Sequence, residues 1–143
     1  MSFVLDNSVT MRWFFGGGLS RDLAYAGQVL EAVADTGARV PATWGLEVSN
    51  VIARAEAREL VTEARSEAFL GLLGELEILA DDATFQHALS GTLDLARRYR
   101  LSAYDASYLE LALRAGLPLA TLDDSLRKAA AKVGVRRFSR ETG

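Results

Sequence analysis

The feature that most constrains this chain is a helix with almost nowhere to meet water. In the stretch LSAYDASYLE, residues 101–110, Ser102 stands where an N-cap belongs and Asp105 follows three residues later, the spacing of a capping box. The helix then runs to about Ala115 and is apolar nearly all round, with Ser107, Glu110 and Arg114 as its expected solvent stripe at i, i+3 and i+7. Such a helix belongs in an interior. At about 100° per residue, Asp105 falls roughly opposite that stripe, on the side expected to be buried. A lone buried carboxylate is costly unless it is paired, protonated or bound to a metal. The plain alternative is that Asp105 only serves the helix terminus.

The rest of the chain supplies short apolar runs alternating with helical periodicity. Phe3-Val4-Leu5 reads as a buried strand. Helices are expected over Val9–Phe15 and Leu23–Ala34, broken by Gly16-Gly17-Gly18, and Arg39–Ala42 reads as a second strand. Further helices are expected over 43–60, 62–76 and 82–99, with Ile78-Leu79 as a minor strand between the last two. After the central helix, Gly116 sits at a C′ position, Leu117–Thr121 reads as a strand, a last helix runs to about Val133, and Val135–Phe138 reads as an edge strand. This alternation predicts an α/β fold, a three-layer α/β/α sandwich with a mostly parallel central sheet, as a single domain over residues 1–143.

In such a sheet, ligands bind beyond the carboxyl ends of the strands. Asp6 follows the first strand and Asp123 the last long one, while Glu47 lies in the first turns of the helix after the second strand and Asp105 opens a helix at the same edge. Each has a capping explanation, but four together repel one another unless something positive sits among them. The absence of cysteine excludes disulfides and thiolate zinc sites. Hard oxygen ligands without a histidine or cysteine cluster point to Mg²⁺ or Mn²⁺. No leader or membrane-spanning run is evident, so a cytoplasmic protein is expected. Only Lys128 and Lys132 among the 16 basic residues are lysines. The arginines that make up the rest suit bidentate phosphate contacts, and a net charge of −3 does not exclude nucleic acid.

Taken in order, Phe3-Val4-Leu5-Asp6-Asn7-Ser8, Glu47-Val48-Ser49-Asn50-Val51, Tyr104-Asp105-Ala106 and Ala120-Thr121-Leu122-Asp123 resemble the motifs of PIN-domain ribonucleases, and within them the VapC-like toxins of bacterial toxin–antitoxin pairs. The resemblance covers nearly the whole chain and lies in the ordered set rather than in any one motif. It implies that Asp6, Glu47, Asp105 and Asp123 are metal-binding acids, with Asn7, Ser8, Asn50 and Thr121 as supporting positions. It also implies Mg²⁺ or Mn²⁺ as cofactor, RNA as substrate, a homodimer, and a cognate antitoxin that blocks the site. The Gly16–Gly18 loop departs from the charged residues usual there.

Other candidates carry less. His87 has no evident partner, and the triple glycine lacks the Lys-Ser/Thr of a nucleotide loop. Trp13-Phe14-Phe15 are assigned to core or dimer packing ahead of base stacking, Arg97-Arg98 and Arg136-Arg137 to a solvated face ahead of phosphate contact, and Asp124 to capping. Two rival classes remain. A receiver-like domain would want a lysine at a strand end, which neither Lys128 nor Lys132 provides; a catalytically silent RNA- or partner-binding module would not need four acids.

Overall fold

The structure, a computed structural model, describes residues 2–140; Met1 and residues 141–143 of the expected 1–143 domain lie outside them. Four short strands, β1 (Val4–Leu5), β2 (Ala38–Val40), β3 (Ile78–Ala80) and β4 (Leu119–Ala120), form one sheet in the order β3-β2-β1-β4. Every pair is parallel. Helices α1 (Asn7–Phe15), α2 (Ser20–Thr36), α3 (Trp44–Ala57), α4 (Glu63–Leu73), α5 (Thr84–His87), α6 (Leu93–Tyr99), α7 (Ala103–Ala115) and α8 (Asp124–Val133) connect and flank it. No helix among the described residues is long and apolar enough to cross a membrane.

Side chains alternate across a strand, and β1 uses both directions. Phe3 and Leu5 pack with Tyr25, Ala26, Val29 and Val33 of α2, whereas Val4 packs with Tyr108, Leu109 and Ala112 of α7 and with Leu126 and Ala129 of α8. A third cluster joins Phe14 of α1 to Val48, Ile52 and Ala55 of α3 and to Phe69 of α4. Trp44 touches all three clusters. The result is the expected three-layer α/β/α arrangement. Trp13 and Phe14 serve packing, with the Trp13 indole N–H donated to the Ala26 carbonyl at 2.7 Å.

Four expectations need correction. The segment 82–99 is not one helix: α5 and α6 are separated by a π-helical turn, Ala88–Thr92, where Ser90 and Gly91 weaken helical preference. The expected solvent stripe on α7 is covered, with Ser107 and Glu110 both buried, because the π-turn and α6 pack across that side. Asp105, expected on the buried side, is only half-buried. Finally, Val135–Phe138 forms a single parallel bridge, Leu119 to Arg137, rather than a strand.

Covering the α7 stripe buries charge, and Arg114 resolves it. Its guanidinium donates to both Asp81 oxygens at 3.2 and 2.6 Å and to both Glu110 oxygens at 3.0 and 2.8 Å. Asp81 follows β3, is 3% exposed, and also accepts from Thr84 Oγ1 at 3.0 Å. The Arg114 hydrogen bonds hold its carboxyl below the usual range and raise the arginine's own pKa. Replacing Arg114 by Met leaves two buried carboxylates short of donors and should cost about 2 kcal/mol at pH 7 in urea unfolding. A group whose pKa is lowered on folding contributes stability above its ordinary pKa and loses it as the pH falls, so the deficit should shrink in acid. Equal stability of both proteins at pH 7 would show that Arg114 carries no such load.

Candidate functional site

The carboxyl ends of β1 and β4 lie side by side, because Asp6 N–H donates to the Ala120 carbonyl at 3.0 Å. The chain turns into α1 directly after β1, which leaves Asp6 at the N-cap position, yet its side chain caps nothing. Instead, one oxygen, Oδ2, accepts from Ser8 Oγ at 2.6 Å and Thr121 Oγ1 at 2.7 Å. Those hydroxyls are themselves aimed by the backbone of the β4–α8 connection: Leu122 N–H donates to Ser8 Oγ at 2.9 Å and Asp123 N–H to Thr121 Oγ1 at 3.0 Å. The side chain is thus fixed through one oxygen, and Oδ1 has no protein partner among the described residues. Burial pushes the Asp6 carboxyl up to about 6, opposed by the two hydroxyls and reinforced by the charges of Asp105 and Asp123.

Glu47, in the first turn of α3, accepts from the Tyr108 hydroxyl at 2.9 Å through Oε1. Burial raises its carboxyl to about 7, against the Tyr108 hydrogen bond and with the charges of Asp6 and Asp105 adding to the rise. The same surroundings, burial first and then Asp6 and Glu47, raise the Tyr108 phenol and keep it a donor. Asp105 donates its backbone N–H to the α7 cap, Ser102 Oγ, at 3.0 Å; burial and then the charge of Asp123 raise its carboxyl, opposed by the Ser102 hydroxyl. Asp123 is the true cap of α8, its Oδ1 accepting from Leu126 N–H at 2.8 Å. Asp124, expected to cap, is instead exposed and paired with Arg127 at 2.8 Å.

The four sequence-selected acids therefore share one edge and feel one another's charge. Among the described residues, no three acids or imidazoles stand close enough to hold an ion between them. Of the supporting positions, Ser8 and Thr121 do orient Asp6. Asn7 is half-buried with an unpartnered Oδ1, and Asn50 is exposed; both line a cleft of about 510 Å³ with Glu47 and Asp105. Tyr108 was missed in the sequence, although its place three residues after Asp105 sets it on the same helix face. Asp81 was missed too, despite following a strand as Asp6 does; Arg114 claims it.

The other candidates lie elsewhere. His87 lines a hollow between the α5–α6 segment and α7, and Lys128 and Lys132 line another with Tyr99 and Arg100. Gly16, Gly17 and Gly18 all have positive φ, and Arg12 donates into the loop at the Gly17 carbonyl, 2.9 Å away. On the β4 side of the acids, a hollow of about 480 Å³ shares Thr121 with them and carries Arg21, Arg127 and Arg137. The Arg137 guanidinium lies 3.8 Å from the Tyr25 ring centre, a cation–π contact.

Comparison with known proteins bears on the fold and the family. No curated protein matches the sequence significantly. Among solved structures, the crystal structure of PAE2754 from Pyrobaculum aerophilum matches over 90% of this chain and 87% of its own, with a TM-score of 0.63 and 22% identity, a likeness of fold. The PIN-domain profile matches residues 3–132. Because that profile spans most of the sequence, this chain belongs to the PIN-domain family, whose fold is that of metal-dependent nucleases.

Proposed function

We propose that the protein is a single-domain, Mg²⁺- or Mn²⁺-dependent endoribonuclease, the toxin of a toxin–antitoxin pair, with Asp6, Glu47, Asp105 and Asp123 as its working acids. The observation that carries the nuclease chemistry is Asp6. It is a buried carboxylate that caps nothing, is anchored through one oxygen by Ser8 and Thr121, and keeps the other free beside two further acids. The toxin role, RNA as substrate, a homodimer and a blocking antitoxin rest on the ordered VapC-like motifs.

The donor set suits a hard cation. Mg²⁺ keeps several of its waters and is held by one or two carboxylates plus substrate phosphate oxygens rather than by a closed protein cage, which fits acids that are near but not convergent. Asp6 and Asp105 are the direct ligands in this reading. Asp123, with one oxygen committed to its helix, serves as ligand or orients water. A bound divalent cation supplies an activated water and offsets the charge that builds on the phosphate during in-line displacement. Glu47, fixed through Oε1 by Tyr108 and with a pKa of about 7, can accept a proton at its other oxygen near neutral pH. The neighbouring hollow, which carries Arg21, Arg127 and Arg137, would offer contacts to RNA phosphates.

The test is cleavage of single-stranded RNA by purified protein in Mg²⁺ or Mn²⁺, in chelator, and in sodium at matched ionic strength. Cleavage is expected only with the divalent ions. Asp124→Ala should stay within about twofold of wild-type cleavage and, losing only an exposed ion pair in the first turn of α8, cost at most about 1 kcal/mol of stability. Metal-independent cleavage, or none under any condition, would remove the reading. Loss of cleavage in folded Asp124→Ala would move the ligand assignment from Asp123 to its neighbour.

A further inference from the structure

The cleft on the α3–α7 side of the acids has a feature that metal chemistry does not use. Two large side chains at its walls stand in water, Tyr104 at 61% and Leu46 at 72% exposure. The other tyrosines are employed. Tyr25 donates to the Phe138 carbonyl at 2.8 Å, Tyr108 donates to Glu47, and Tyr99 packs on the core beside α7. Neither the ring nor the hydroxyl of Tyr104 has a partner among the described residues, although it is the immediate neighbour of Asp105. We propose that this cleft is a nucleobase subsite, in which Tyr104 stacks on a base of single-stranded RNA, Leu46 packs against it, and Asn50 and Ser102 offer hydrogen bonds to its edge.

Charge and size choose a base over other occupants. Without a bound cation, Glu47 and Asp105 on the wall repel a phosphate but not a neutral base, and with one they direct the phosphate to the ion and leave the Tyr104 side of the cleft to the base. The volume, about 510 Å³, lies within the ~300–1,000 Å³ usual for small-molecule sites. A stable protein interface needs about 800 Å² per partner, whereas the apolar surface here is three side chains, Leu46, Val51 and Tyr104, lining a hollow. Stacking on an aromatic face tolerates any base, and single-stranded RNA is commonly held this way. The proposal rests on the reading of the substrate as RNA and adds which residues hold it.

The test uses full-length Asp6→Asn protein, so that RNA is not consumed, and fluorescence anisotropy with two labelled ten-nucleotide probes: oligoadenylate, and an abasic RNA backbone of the same length. Tyr104→Ala should weaken oligoadenylate binding about tenfold and leave the abasic probe unchanged within about twofold. Tyr104→Phe should keep wild-type affinity, and Leu46→Ala should move in the direction of Tyr104→Ala. Both sites are exposed, and circular dichroism checks each fold. Equal affinity of Tyr104→Ala and its parent for oligoadenylate overturns the proposal, as does an equal loss for both probes or no micromolar binding of oligoadenylate by the parent. A change in oligomeric state on Tyr104→Ala without a change in RNA affinity overturns it in favour of a protein interface. Base-dependent binding without cleavage by wild type would sink the nuclease reading and leave this subsite standing; cleavage with a neutral Tyr104 would do the reverse.

Discussion

Asp6→Asn is expected to be both nearly inactive and, without metal, more stable than wild type. Loss of a hard anionic ligand removes several kcal/mol of charge stabilisation, on the order of 100-fold or more in cleavage rate. Asp105→Asn should lose activity on the same scale. The stability effect has the opposite sign and its own pH dependence. The Asp6 carboxyl is raised on folding, to about 6. The stabilisation from its protonated form is therefore complete below the unfolded value, near 4, and is lost as the pH rises through 6. At pH 8, wild type carries a buried, unpaired charge that the amide does not, and Asn can still accept from Ser8 and Thr121. The gain should be about 2 kcal/mol, roughly 6 °C in melting temperature, shrinking towards zero near pH 4. Melting curves in chelator at pH 4.5, 6 and 8 measure this. A variant less stable than wild type at pH 8 would show that the carboxylate is well satisfied, and the site would lose its electrostatic rationale.

The second large effect is stabilisation by metal. At a free concentration about 100 times the dissociation constant, a divalent ion that binds only the folded state adds about 2.7 kcal/mol, several degrees of melting temperature. Sodium at matched ionic strength should add far less, since screening is not coordination. Ligands must be deprotonated to bind. With Asp6 near 6 and Glu47 near 7, metal competes with protons below neutrality. At pH 5, protonation of Asp6 alone lowers apparent affinity by about tenfold, and that of Glu47 by about 100-fold if it also ligates. Thermal melts with Mn²⁺ at pH 5 and pH 8 decide the matter: a large shift at pH 8 is expected to fall to about half at pH 5 when Asp6 alone ligates, and nearly to vanish when Glu47 ligates too. Shifts of equal size would place the ion away from these acids, and no shift at either pH would leave the acids without a ligand.

Much of this was legible in the sequence because local rules and tertiary demands coincide at the right places. Phe3-Val4-Leu5 is apolar throughout since β1 is buried on both faces, which made its end, and so Asp6, easy to locate. Ser102 and Gly116 bounded α7 through ordinary capping. What escaped were events decided between elements. The stripe of Ser107, Glu110 and Arg114 reads as solvent-facing from periodicity alone, and only the π-turn and α6, laid across α7, reveal it as a buried ion network reaching Asp81. Nothing in 82–99 announces a π-turn beyond the weak helix formers Ser90 and Gly91. The choice between Asp123 and Asp124 as cap turns on one residue of register, which propensity does not resolve. Tyr108 was hidden by being apolar enough to count as core, although its hydroxyl holds Glu47.

The sheet order has a consequence for protein synthesis. β1, the first strand made, is flanked by β2 and by β4, the last. Asp6 is held by Thr121, 115 positions downstream, and the backbone that aims both supporting hydroxyls belongs to the β4–α8 connection. A nascent chain of 100 residues has made Asp6 and Glu47 but neither Asp105 nor Asp123, and β1 still lacks one neighbour. Contacts so distant in sequence form late. Under the proposed function the site would come together only once β4 docks, so a product truncated before Leu119 should be inert however well its α1–α4 layer has condensed.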